Sequence, residues 1–328
     1  MSTSGTQRGR RFWRRYGASI VLSVMALLGA AAPAPAQQMI NPNHPRPVIQ
    51  EQVAPDLYFL FDYDSSNAGF LVTDDGVVVI DTRQHPRDGQ DLIDRIHKIT
   101  DKPIKWVINT HFHGDHHLGN PAFKAIGATI VAQRVTAALM AKTFDKEIAR
   151  RGKFFASRHY DSKEVRLVLP DLTFEREITI RLGGRQVRVL YLGPGQNPGD
   201  TFVLFPHDRA IYTPGAFAKR SWANTAFTPS VESWIALLNK VAAMSDVDKV
   251  LPAHGDVATR ADVADMAKFL TDEYAGVKDA VAKGLSEDEA AKTLLFPQYR
   301  DYRNYRVREH DIRSLYQLIK TGKSSYLE

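Results

Sequence analysis

The sequence predicts an α/β protein (α+β in some schemes), a four-layer αββα sandwich of two mixed β-sheets with outer helices. Two observations predict it. Short apolar runs rich in Val and Ile alternate with amphipathic helical stretches, and the order strands-then-helices occurs twice along the chain. The length allows it as well, because about 290 residues beyond the leader described below suffice to bury a large core.

The elements follow in order. Leu57 to Phe61 and Gly69 to Thr73 read as strands, Asp74-Asp75-Gly76 as a turn, and Val77 to Ile80 as a fully apolar strand ending at Asp81-Thr82. A helix covers about Asp88 to Thr100, with Leu92, Ile93, Ile96 and Ile99 on its buried side. Next come a strand over Lys105 to Asn109, a histidine-rich loop, a short helix from about His117, a strand over Thr129 to Ala132 and a helix near Val135 to Lys142. Phe144 to Asp161 mixes Lys146, Arg150, Arg151, Lys153 and Arg158 with Phe154, Phe155 and Tyr160. It reads as a partly helical crossover that overhangs the site or simply runs over the surface.

The second half opens with short β runs at 178–180, 187–192, 202–205 and 210–212, split by Gly-Gly, Gly-Asp and His-Asp turns. Ser230 to Met244 is a helix, and Lys249 to Pro252 a short strand that ends at Ala253-His254-Gly255-Asp256. Helices are expected over about Arg260 to Lys283, Glu287 to Leu295 and Asp311 to Lys320.

The first 36 residues carry a different signal. Arg8, Arg10, Arg11, Arg14 and Arg15 precede an uncharged, mostly apolar run from Gly17 to Ala32, and Ala34-Pro35-Ala36 offers a small-x-small cleavage site. This is the pattern of a secretory signal peptide cleaved after Ala36, which implies a periplasmic or secreted protein with no stable membrane span after cleavage. The chain has 43 basic and 37 acidic residues, and the leader holds five of the basic ones and none of the acidic. The remainder is close to neutral, so charge gives no argument for nucleic acid, and a small-molecule substrate is the expectation. There is no cysteine, so thiolate ligands and disulfides are excluded.

The run Asn109 to Asn120, N-T-H-F-H-G-D-H-H-L-G-N, carries the chemistry. Four His and one Asp fall within His111 to His117, on a loop at the end of an apolar strand. Imidazole and carboxylate ligands suit a borderline cation such as zinc. His111 and His113 can face one cation around a tight turn at Gly114. Asp115 and His116 point differently and can serve a second, and His254 ends another strand that a fold can bring to the same cleft.

His111-Phe112-His113-Gly114-Asp115-His116 resembles the H-x-H-x-D-H motif of the metallo-β-lactamase superfamily. The resemblance runs from about Val48 to Leu270, leaving 37–47 as an extended arm and 271–328 as a helical extension packed on the domain. It implies that His111 and His113 hold a first zinc, that Asp115, His116 and His254 hold a second, and that Asp81 supports a ligand by hydrogen bonding. It also implies that Asp115 and His116 serve catalysis directly. Two positions depart from the pattern. Gln196 stands where the first site normally has its third His, and Gly215 where many relatives have a bridging Asp. Gln196 offers only a neutral amide oxygen, so one zinc is expected to be held tightly and a second loosely. His117, His159 and His207 are the alternative donors.

The resemblance implies an exported zinc hydrolase in which hydroxide on the metal attacks an amide, lactam or ester carbonyl, as in β-lactamases, lactonases or esterases. Two further readings stay open. One is a catalytically weakened or non-hydrolytic metal-binding member of the fold, and the other a mononuclear oxygenase that uses iron. Tyr212, Phe217, Trp222 and Phe227 are candidates for an apolar substrate wall or for the core.

Overall fold

A computed structural model describes residues 47–327. The expected leader and nearly all of the arm lie outside the described residues. The first sheet has seven strands: β1 (Ile49–Ala54), β2 (Leu57–Phe61), β3 (Ala68–Thr73), β4 (Gly76–Ile80), β5 (Ile104–Asn109), β6 (Thr129–Gln133) and β7 (Leu172–Phe174). They lie side by side in chain order, antiparallel from β1 to β4 and parallel from β4 to β7. The second sheet contains β8 (Glu177–Leu182), β9 (Arg185–Tyr191), β10 (Thr201–Phe205), β11 (Ala210–Thr213) and β12 (Lys249–Pro252), ordered β12-β11-β10-β9-β8. Its β11–β12 pair is parallel and the rest antiparallel.

The layers follow from which faces are apolar. Phe59, Leu71, Val78, Ile80, Ile108 and Val131 of the first sheet meet Val187, Val189, Val203, Tyr212 and Leu251 of the second. On the outer face of the first sheet, Phe70, Val77, Val79, Val107 and Ile130 pack against Leu92, Ile93 and Ile96 of α1 (Pro86–His97) and Phe123 of α3 (Asn120–Ala125). The second sheet presents Phe202, Leu204, Ile211 and Val250 to α5 (Val231–Ala242) and α6 (Arg260–Ala282). β4 is buried throughout, and β5 and β6 are buried on both faces at Val107-Ile108 and Ile130 to Ala132, which is why these stretches are apolar runs. The αββα sandwich is the one the sequence predicts.

Two further helices, α7 (Glu287–Thr293) and α8 (Arg308–Thr321), pack Ala290, Ala291, Ile312 and Leu315 on Val277 and Ala280 of α6. Capping boxes start α6 (Thr259 with Asp262) and α7 (Ser286 with Glu289). The boundary expected near Leu270 falls within α6. No helix among the described residues is long and apolar enough to cross a membrane.

Three expectations need correction. The short helix expected from His117 begins at Gly114 as α2 (Gly114–His117), so the histidine loop is itself partly helical. The helix expected near Val135 to Lys142 is α4 (Arg134–Ser157), three times as long, and it takes in most of the expected partly helical crossover. Its inward stripe is Thr136, Met140, Thr143, Glu147 and Phe155. These residues keep helical spacing but are mostly polar, so apolar periodicity does not reveal them. The edge strands β1 and β7 were not expected, since β1 is largely solvent-facing and β7 has three residues.

Candidate metal centre

The site lies where β4, β5, β11 and β12 end. Asp81 follows β4 with φ 58°, a left-handed conformation that Asp tolerates better than bulky residues. This turns its carboxylate back beneath the histidine loop. Oδ1 accepts from Thr110 N at 2.8 Å, and Oδ2 accepts from Thr110 Oγ1 at 2.8 Å and His116 Nδ1 at 2.7 Å. The Tyr212 hydroxyl adds a longer contact of 3.4 Å. Burial pushes the Asp81 carboxyl up to about 7. Arg83, also left-handed at φ 66°, pins the next turn by pairing with Asp62, with Asp91 at 3.1 Å and with Asp88 at 3.7 Å.

His116 therefore spends Nδ1 on Asp81 and turns Nε2 to the cluster. His254, carried on the loop after β12, donates from Nδ1 to the Ser65 carbonyl at 3.1 Å and likewise turns Nε2 inward. The two Nε2 atoms are 3.3 Å apart. With both Nδ1 positions used as donors, these nitrogens present lone pairs to each other, which a shared cation relieves. Asp115 Oδ2 lies 3.5 Å from His254 Nε2 and 3.7 Å from His116 Nε2. Asp115, His116 and His254 thus form one compact three-ligand group, and Asp81, His111 and His116 a second.

His111 and His113 fill the other half. Their rings are 4.8 Å apart, and His111 is 4.0 Å from His116. Each has a buried Nε2 with no hydrogen-bond partner. An orphaned buried nitrogen is costly, and two side by side fit a cation. Burial holds both imidazoles well below their ordinary pKa, and burial also brings His116 down to about 3. All three are therefore neutral, as metal ligands must be. Burial alone would raise Asp115, but the charge of the Arg151 guanidinium leads the opposing interactions and the carboxyl is held well below the usual range.

Gln196 reaches this half. A Cβ built on Gly215 would collide with Gln196 Oε1 and lie 3.3 Å from His111 Nε2. The amide oxygen therefore sits beside His111, in space that the bare Gly215 leaves. His117 does not contribute, because its Nε2 is 3.0 Å from the Phe112 carbonyl and its ring is buried on that contact. Neither His207, exposed at the β10–β11 turn beside Asp208, nor the exposed His159 belongs to a metal-sized group among the described residues.

Of the four candidate wall aromatics, Phe217 and Trp222 belong to the core beneath α5 and α6, and Tyr212 is buried against Asp81 and the Asn67 carbonyl. Phe227 alone reaches the site, its ring 4.3 Å from His113. Glu147 of α4 escaped the reading of the sequence, which placed Arg151 in an overhanging crossover without its partner Asp115. Arg151 Nη2 donates to Asp115 Oδ1, and Glu147 Oε2 accepts from Gly114 N at 2.7 Å. Their i, i+4 spacing with Arg150 between was the available signal. Gly114 is required there, since a Cβ would meet Leu118 at 2.8 Å and Glu147 at 3.3 Å.

The centre is nearly closed. His111, His113, Asp115 and His116 are at most 7% exposed, whereas the His254 side chain is 38% exposed and Gln196 is half-buried. His254 and Gln196 are thus the members of the cluster most open to solvent.

Comparison with known proteins agrees with this geometry. The linear primary-alkylsulfatase of Pseudomonas sp. (strain ATCC 19151) is 24% identical over 287 residues, covering 74% of this chain and 53% of that protein. The metallo-beta-lactamase type 2 of Elizabethkingia meningoseptica is 27% identical over 168 residues, covering 49% of this chain and 59% of that one. The solved structure of the stereoselective inverting sec-alkylsulfatase Pisa1 from Pseudomonas sp. superposes with a TM-score of 0.71 at 19% identity, over 85% of this chain and 51% of that chain. The chain thus spans about half the length of the alkylsulfatases it matches. Residues 62–254 match the metallo-beta-lactamase superfamily as a whole, and the chain belongs to that superfamily.

Proposed function

We propose that the chain is a metal-dependent hydrolase of small ester-type substrates, with sulfate esters as the leading class. The observation that carries the hydrolase reading is the metal-sized group formed by Asp115, His116 and His254, beside which His111 and His113 each keep a buried Nε2 with no hydrogen-bond partner. A divalent cation held there supplies Lewis acidity and lowers the pKa of bound water toward neutrality. His111, His113 and Gln196 form the weaker half of the centre, and Asp115, His116 and His254 the stronger, since a neutral amide is a poorer zinc donor than imidazole.

The protein's own groups set the chemistry. Asp81 fixes the tautomer and tilt of His116. Asp115 is held ionised chiefly by the Arg151 guanidinium, so it serves as an anionic ligand that orients water rather than as a strong base. Phe227 and the closed floor exclude bulk water on the His113 side, leaving His254 as the face a substrate meets.

Sulfate esters come first because the alkylsulfatase match covers 74% of this chain, against 49% for the type 2 lactamase. Lactam or carboxylic ester carbonyls are the second reading, favoured by Gly215, since some lactam-cleaving relatives also lack a bridging carboxylate. Export by the arginine-rich leader belongs to the same proposal, and N-terminal sequencing of secreted material should begin at Gln37.

The test is a substrate panel on zinc-loaded and chelator-stripped protein: sulfate release from a linear alkyl sulfate, opening of a chromogenic cephalosporin and cleavage of an aryl ester. Zinc-dependent turnover of the alkyl sulfate supports the leading reading, and of the other two the second. Zinc binding without any turnover would indicate a non-hydrolytic member. Oxygen consumption with iron, and no hydrolysis with zinc, would indicate an oxygenase.

A further inference from the structure

We infer that Glu147 and Tyr326 are positioning residues of the centre, which hold Arg151 on one oxygen of Asp115 and so fix which oxygen faces the histidines. This rests on the metal-site reading above.

Glu147 is a fully buried carboxylate in the middle of α4. Four donors converge on it: Gly114 N at 2.7 Å, Arg150 Nη1 at 2.6 Å, the Tyr326 hydroxyl at 2.6 Å and Arg151 Nη2 at 3.4 Å. The same Arg151 nitrogen donates to Asp115 Oδ1, leaving Oδ2 for His116 and His254. Glu147 thus grips both the residue before Asp115 in the chain and the side chain that pairs with Asp115.

Tyr326 comes from the segment Ser324–Leu327, 179 positions away. That segment is tied down along its length. Ser324 Oγ and Tyr326 N both donate to the Ala226 carbonyl, at 2.5 and 3.1 Å, and Lys142 Nζ donates to the Leu327 carbonyl at 3.2 Å. The Tyr326 ring lies 4.4 Å from Phe227, which itself faces His113, and the Arg150 guanidinium covers both rings at 5.2 and 5.0 Å.

An apolar residue at 147 would pack α4 at lower desolvation cost, because buried ion pairs are on balance expensive. What the charged group adds is direction. A carboxylate free to rotate can offer a cation either oxygen or both. One whose Oδ1 is held by a fixed guanidinium offers only Oδ2. Tyr326 supplies the hydroxyl that completes Glu147 on the side away from Arg151.

The test uses cobalt(II) as the probe, because its visible absorption reports coordination geometry without any substrate. Tyr326→Phe and Glu147→Gln should each weaken cobalt binding about 3- to 10-fold in competition with a chromophoric chelator and shift the visible bands. On any substrate the wild type turns over, kcat should fall with KM nearly unchanged. Arg151→Lys should preserve neither spectrum nor affinity, since a compact ammonium on a flexible stem lacks the planar guanidinium that fixes this nitrogen between the two carboxylates. The inference is overturned if Tyr326→Phe, which removes one oxygen and keeps the ring, leaves both affinity and spectrum unchanged while His254→Ala alters them. Should Glu147→Gln fail to fold, Tyr326→Phe alone decides. A wild type that binds cobalt yet hydrolyses nothing would defeat the hydrolase reading and leave this inference to stand or fall on the spectra. A wild type that binds no cobalt defeats both.

Discussion

The side-chain oxygen of Gln196 lies in the space that a Cβ on Gly215 would fill, and that same point is 3.3 Å from His111 Nε2. The bare Gly215 leaves room for the amide at 196, and in the function proposed above that amide supplies an oxygen to the first half of the centre. The prediction is specific. Gly215→Ala adds a single carbon at a backbone φ outside the left-handed region, yet it should push Gln196 aside and weaken the looser of two zincs about tenfold, ~1.4 kcal/mol. Competition against a zinc indicator measures it. Unchanged affinity would show that Gln196 does not serve the metal.

The two halves of the centre should respond differently to loss of a histidine. His113→Ala removes one donor from the weak half and should leave close to one tightly held zinc. His254→Ala opens the compact group with Asp115 and His116 and should release the tight zinc as well. Metal analysis after dialysis separates the cases, and equal losses from both variants would mean that the halves are not distinct.

Asp81 is predicted to act through His116. In Asp81→Asn the amide can still accept from Thr110, but its NH2 group would face the Nδ1 proton of His116, donor against donor. Metal affinity should fall about 10- to 100-fold while the circular dichroism spectrum is kept. Wild-type affinity in the variant would make Asp81 a turn residue only.

A pH effect is expected far from the centre. The Glu273 carboxyl on α6 is fully buried beside the Asp311 carboxyl of α8 and the Trp222 indole. Burial raises Glu273 well above its ordinary value, helped by Asp311, and brings Asp311 to about 7 against the bonds from Thr225. Both folded pKa values exceed the unfolded ones, so the pair's contribution is fully present below about pH 4 and is lost as pH rises through about 7. Glu273→Gln removes one ionisation. Its stability relative to wild type should therefore grow from pH 5 to pH 8 by at least about 1 kcal/mol. The buried histidines of the centre shift stability the opposite way, but they do so equally in both proteins. Paired denaturation curves at the two pH values check this, and a constant difference would contradict it.

The legible parts of the molecule were those written in short range. Val77 to Ile80 is an apolar run of β-branched residues and Lys249 to Pro252 a short segment around apolar Val250 and Leu251, and both are strands where expected. His111, His113, Asp115 and His116 share one loop, so their grouping needs no tertiary knowledge, and His254 reaches them because its strand ends at the same edge. What stayed hidden depends on distant partners. Helix α4 turns Glu147 inward because Gly114 and Tyr326 satisfy it, and apolar periodicity cannot see a buried face built from polar residues. Tyr212 looked like a wall residue because sequence does not show that its hydroxyl is spent on Asn67 and Asp81.

The most direct test of the central claim is the zinc stoichiometry of chelator-stripped protein, titrated against an indicator to give occupancy and affinity together. The account predicts two unequal sites, one tight and one at least about tenfold weaker, as expected when an imidazole is replaced by an amide donor. Two equally tight sites would contradict the assignment of Gln196 to a weak half, and no stoichiometric zinc would contradict the metal centre itself.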